Sequence, residues 1–85
     1  MSKHEKLCLK LLNLSGNFTY DEMVTLLKGF GYIEEHRGRT SGSAVMFYNK
    51  KSQDKIMFHK PHSESELKIY IRKLVIEKLK SNNLL

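Results

Sequence analysis

Apolar residues in this chain change period twice, from every third or fourth position to every second and back again. Over Lys3 to Asn13, Leu7, Leu11 and Leu14 form one stripe with Cys8 and Leu12 beside it, the spacing of a helix, which Ser15-Gly16-Asn17 breaks. Thr19 and Glu22 announce a second helix through a capping box, in which each side chain satisfies the other residue's amide. Phe18 before the cap and Met23 at the fourth helical position are placed to staple it. Val24 and Leu27 continue its apolar face, and Gly29-Phe30-Gly31 supplies a stop.

The period then shortens to two. Tyr32 to Arg37 is the weakest of three strand candidates, with only Tyr32 and Ile33 as good strand formers. In Ala44 to Tyr48, Val45 and Phe47 alternate against Ala44, Met46 and Tyr48. In Lys55 to His59, Ile56 and Phe58 alternate against Lys55, Met57 and His59. The polar stretch from Asn49 to Asp54 has hairpin length, so the last two runs are expected to pair antiparallel. Helical spacing returns after Pro61-His62, where Ser63 and Glu66 spell a second capping box and Leu67, Tyr70, Ile71, Leu74, Val75 and Leu79 follow. Lys68, Arg72, Lys73, Lys78 and Lys80 lie between and beside them, and Ser81-Asn82-Asn83 ends the helix.

The predicted order α-α-β-β-β-α makes an α+β fold, a three-stranded antiparallel sheet with its helices gathered on one face. That arrangement buries Val45, Phe47, Ile56 and Phe58 against Leu67, Ile71 and Leu74, and turns Lys55, Met57 and His59 to solvent on the other face. A single domain is expected over residues 1–85: a helical extension at 1–17, a core at 18–80 and a loose tail at 81–85.

Composition narrows the class. Eighty-five residues leave no room for a second core, while 40% apolar and 28% charged content suits a packed, soluble domain. No apolar run approaches the ~20 residues that span a bilayer. The N-terminal leucines are interleaved with charges, unlike a signal-peptide core, so cytoplasmic residence is expected. Cys8 is the single cysteine, which rules out an internal disulfide and a cysteine-built zinc site. The net charge of +6 is uneven. Residues 1–49 carry six Lys/Arg against five Asp/Glu, and residues 50–85 carry nine against four. A basic C-terminal half suggests phosphate as a partner, since each cation near a phosphate releases a counterion, although a solvated lysine face accounts for the same charges.

Two stretches could carry chemistry. In His59-Lys60-Pro61-His62, two imidazoles stand beside a lysine and an expected helix start. Such a group can bind a phosphate and move protons. RNA cleavage asks for little more: a base to take the 2′-hydroxyl proton, and cations to stabilise the charge that develops as that oxygen attacks phosphorus. His59 as a solvent-facing strand residue and His62 as a staple on Leu67 are the plainer alternatives. A metal is not expected, because no acid or cysteine adjoins the pair. In Gly38-Arg39-Thr40-Ser41-Gly42-Ser43, backbone amides, hydroxyls and the Arg39 fork could meet phosphate, or the loop could simply connect two strands.

From Thr19 to Lys80 the chain resembles HicA-type toxins in the order of its parts. These are an Asp-Glu-Met-Val-Thr-Leu-Leu helix ending in Gly-Phe-Gly-Tyr, a Thr-Ser-Gly-Ser loop, a strand, then His-Lys-Pro-His and a Glu-Leu-Lys helix. The resemblance implies a fold like the double-stranded-RNA-binding domain, cleavage of messenger RNA, and neutralisation by a HicB-type antitoxin. In that family the loop reads Gly-Ser-His and the histidine is catalytic, whereas here Gly42-Ser43 is followed by Ala44.

The expectation is therefore a ribonuclease toxin that needs no cofactor. His62 is expected as base and His59 as acid, with Lys60, Arg39, Lys55, Ser43 and Arg72 contacting RNA. The start of the last helix should keep the His62 imidazole neutral. A catalytically silent RNA-binding domain and a protein-interaction module remain open alternatives. The oligomeric state is not legible.

Overall fold

The computed structural model describes residues 2–35, 44–59 and 66–85. Helices α1 (Lys3–Leu12) and α2 (Tyr20–Gly29) precede strands β1 (Tyr32–Glu35), β2 (Ala44–Asn49) and β3 (Asp54–His59), and α3 (Ile69–Ser81) closes the chain. The strands form an antiparallel meander in the order β1-β2-β3, so the α+β expectation holds. Val45, Phe47, Ile56 and Phe58 are buried in one cluster with Leu11, Met23, Leu26, Leu27, Val75 and Leu79 from the helices. All three helices thus cover one face of the sheet.

Local signals explain most boundaries. Ser2 caps α1 by accepting the Glu5 amide. Thr19 and Glu22 form the reciprocal box at α2, at 3.2 and 3.0 Å, with Phe18 and Met23 both fully buried beside it. Gly31 takes φ +94° directly after α2, a left-handed conformation that glycine adopts without strain. Asn49 then ties that helix end to the sheet: its amide donates to the Phe30 carbonyl, while its side-chain oxygen accepts the Lys51 and Ser52 amides of the hairpin turn.

The last helix departs from expectation. It begins at Ile69 rather than at the Ser63–Glu66 box, and its N-cap, Lys68, makes no side-chain capping bond. Glu66 forms an isolated antiparallel bridge with Thr19, and the Leu67 amide donates to the Phe18 carbonyl at 2.8 Å. A backbone paired in this way is extended and cannot serve as the third residue of a helix. Ser63 lies outside the described residues.

Leu74 is also a correction: it is 36% exposed. The inward face of α3 carries Ile71, Val75, Leu79 and, unexpectedly, Arg72. Arg72 is 1% exposed and its two terminal nitrogens donate to four carbonyls, those of Gly16, Lys10, Leu11 and Asn13, at 2.7 to 3.1 Å. Its guanidinium stands 5.5 Å from the Phe18 ring centroid, and among the described residues its Nε has no hydrogen-bond partner. The Lys10 and Leu11 carbonyls belong to the last turn of α1, where carbonyls lack helical partners and the helix dipole is negative. Arg72 is therefore the C-terminal cap of α1, delivered from the opposite end of the sequence. His4 completes the docking of α1, its ring edge-on to Phe30 at 4.4 Å and packed against Gly29.

Asp54 closes the far end of the sheet, accepting from the Tyr32 hydroxyl at 2.7 Å and the Lys78 ammonium at 3.2 Å. Burial works to raise its pKa, but these hydrogen bonds and the Lys78 charge outweigh it and hold the carboxyl below its ordinary value.

Two outcomes follow from these contacts. Arg72→Met leaves four carbonyls without their donors and is expected to cost about 3 kcal/mol or more. In a domain of this size that lowers Tm by at least ~10 °C, and an unchanged melting curve would remove Arg72 from this role. Asp54→Asn should destabilise the fold at neutral pH. Because the native carboxyl ionises below its unfolded value, its contribution is complete above about pH 4 and fades as pH falls further. Urea titrations of the two proteins should accordingly converge in acid.

Candidate functional site

Among the described residues, nothing packs over the face of the sheet away from the helices. Strand register sets its composition, because directly paired residues in an antiparallel ladder project to the same side with Cβ atoms about 4.5–5.5 Å apart. Lys55 on β3 pairs with Tyr48 on β2, which pairs with Ile33 on β1. Met57 pairs with Met46, and Met46 with Glu35. His59 pairs with Ala44. These three rows stand two residues apart, so the Lys55 row lies about 13 Å from the His59 row along the strands.

This face is neither a core nor an ordinary polar surface. Met57 is 61% and Ile33 52% exposed, whereas Met46 is only 6% exposed although none of the described helices lies on its side of the sheet. Met46 sits on the central strand, between its register partners Glu35 on β1 and Met57 on β3. Glu35, Met46, Tyr48 and Lys55 together line a shallow, open pocket of about 240 Å³. Lys55 and Glu35 flank β2 from opposite sides and form no ion pair with each other.

Of the residues singled out in the sequence, Lys55 and His59 share this exposed face, four residues apart on one strand. Arg72 does not. It is buried among carbonyls at the end of α1 on the helical side and leaves no surface for RNA, contrary to expectation. His62, Lys60, Arg39 and Ser43 lie outside the described residues. The last helix begins at Ile69, so its N-terminus does not lie next to His62 in sequence as expected, and it is not the group that would keep that imidazole neutral. His4 serves in α1 packing, with Cys8 Sγ 3.9 Å from its Nε2. Burial pushes the Cys8 thiol up, with a smaller push from Glu5, which makes it a poorer nucleophile at neutral pH.

Tyr48, Met46, Glu35 and Ile33 escaped the sequence reading as members of this face. Alternation had already separated Ala44, Met46 and Tyr48 from Val45 and Phe47, but nothing in the sequence gave the register that sets them beside Lys55 and His59. Among the described residues, no group of three or more His, Cys, Asp or Glu side chains is placed to hold a metal ion. Nor is any helix long and apolar enough to cross a membrane.

A family model described as "HicA toxin of bacterial toxin-antitoxin" matches residues 20–80, well over half of the chain. No curated protein and no solved structure matches it significantly.

The bare face makes a contrast testable within a single row. Met57→Ala should change stability by no more than about 0.5 kcal/mol, as at any exposed position. Met46→Ala, directly across the ladder, should cost about 2 kcal/mol or more. Equal losses in chemical denaturation would mean that something covers Met57.

Proposed function

The chain belongs to the HicA toxin family of bacterial toxin–antitoxin systems, and on that premise we propose that it is a cytoplasmic endoribonuclease that cuts messenger RNA without a metal until a HicB-like antitoxin neutralises it. The observation that carries this reading is the pairing of His59 with Ala44. Ala44 occupies the position that the resemblance gives to the family's catalytic histidine. An imidazole at residue 59 projects from the same face, one strand over, and can serve the same volume of space.

In this reading His62 takes the proton of a 2′-hydroxyl, and that oxygen attacks the adjacent phosphorus. His59 protonates the departing 5′-oxygen, which leaves a 2′,3′-cyclic phosphate and a 5′-hydroxyl end. The reaction is an internal transesterification and consumes no water. Lys55 stands on the same strand to attract the backbone, and Lys60, Arg39 and Ser43 are assigned to phosphate on their residue types alone. Ala44 also favours a second reading, a domain that binds RNA and does not cut it.

The test is cleavage of single-stranded RNA in EDTA. His59→Ala and His62→Ala should each lose about 10²–10⁴ in rate. Two single variants that cut as fast as the wild type would end the assignment. A wild type that binds RNA and never cuts it would establish the silent domain instead.

A further inference from the structure

The pocket on the bare face contains a carboxylate, and the ribonuclease reading gives that group no task. Its walls are Glu35, Met46, Tyr48 and Lys55, contributed by all three strands. At about 240 Å³ it falls below the roughly 300–1,000 Å³ of ordinary small-molecule sites, so it has room for one ring rather than for a whole ligand. Its contents also argue against a phosphate subsite. Glu35 would repel an anion, and among the described residues Lys55 is the only cation that lines the pocket.

We infer that this pocket holds one base of the RNA substrate and prefers a base bearing an exocyclic amino group. Tyr48, half-buried on the central strand, offers an aromatic surface for stacking, and such stacking tolerates any base. Met46 forms an apolar, polarisable floor. Glu35 supplies what the other walls lack, two acceptor oxygens at the rim. A carboxylate accepts from an amino group such as N4 of cytosine, and uracil has no amino group to offer. Lys55, on the opposite rim, meets either a base carbonyl or the backbone as it leaves the pocket. From there the strand leads straight to His59, two rows away, so a held base fixes which phosphate reaches the imidazole.

This inference rests on the ribonuclease reading, and the experiment separates the two. Uridine dodecamers, unmodified or with one cytidine at a chosen position, are bound and cleaved by the intact protein. The wild type should favour the cytidine oligomers roughly tenfold and cut at a fixed distance from the cytidine. Glu35→Gln should lose most of that preference while still cleaving, since an amide weakens acceptance from the amino group and adds a donor that suits uracil. Tyr48→Ala should weaken all oligomers alike by roughly tenfold, while Tyr48→Phe, which keeps the stacking surface, should match the wild type. Melting curves establish that each variant is folded.

Cleavage with no difference between cytidine and uridine overturns the inference and leaves the ribonuclease reading standing. So does a preference that Glu35→Gln does not alter. If the Glu35 and Tyr48 variants treat RNA normally but no longer bind the antitoxin, the face belongs to the protein partner and the inference fails. If the wild type neither binds nor cuts any oligomer, both readings fall together.

Discussion

One buried guanidinium organises the helical layer. Burying a charge is expensive unless its hydrogen bonds are replaced, and among the described residues no carboxylate pairs with Arg72. Four carbonyls do that work, all within Lys10–Gly16 at the end of α1 and in the loop that follows. The arrangement binds residue 72 to residues about sixty positions away, and it settles the rotation of α3 about its own axis. With Arg72 turned inward beside Ile71, Val75 and Leu79, Leu74 has to turn outward. The same bonds make α1 part of the fold although it lies outside the family match at 20–80. Leu11 is fully buried, and the last turn of α1 has its cap on α3.

That interaction joins α1 to α3 on the same side of the sheet as α2. The other face is open among the described residues, and the order of its side chains follows from register alone. A one-residue slip would exchange Lys55, Met57 and His59 for Ile56 and Phe58 and put the core in solvent, so the register is strongly specified. Asn49 secures it from one end by holding both the end of α2 and the hairpin turn. Asp54 secures the same end from the next strand, through Tyr32 and Lys78. The buried contacts therefore dictate which residues meet on a surface that those contacts never touch.

How much of this the sequence disclosed depends on the range of the interaction. The Thr19–Glu22 box, the glycine after α2 and the alternation in β2 and β3 are local, and all were legible. Ser63 and Glu66 spell the same box, yet Glu66 is held extended by Thr19, forty-seven positions earlier, and tertiary pairing overrode local preference. Arg72 was misread because a cation among lysines on a helix reads as solvated. Only the spatial convergence of four orphan carbonyls distinguishes it from its neighbours. The site was legible in part: alternation placed Lys55 and His59 on one face, while Glu35, Met46 and Tyr48 joined them only when the pairing of strands was known.

Register also changes what Ala44 means for the proposed chemistry, at a position where the resemblance implies a histidine. Position 44 carries a methyl group, and on a linear view a histidine at 59 is fifteen residues too late to replace an imidazole there. In the ladder the two positions are direct partners, with Cβ atoms closer than the length of an extended histidine and its proton-transfer partner combined. A side chain on either strand can thus deliver a nitrogen to the same point, approaching from opposite sides. What differs is the direction of approach, and direction decides whether a group lies in line with the attacking oxygen or with the departing one. An imidazole moved across the ladder is therefore expected to keep its reach and change its role, which is why the proposed ribonuclease chemistry gives His59 the protonation of the leaving oxygen rather than the activation of the nucleophile.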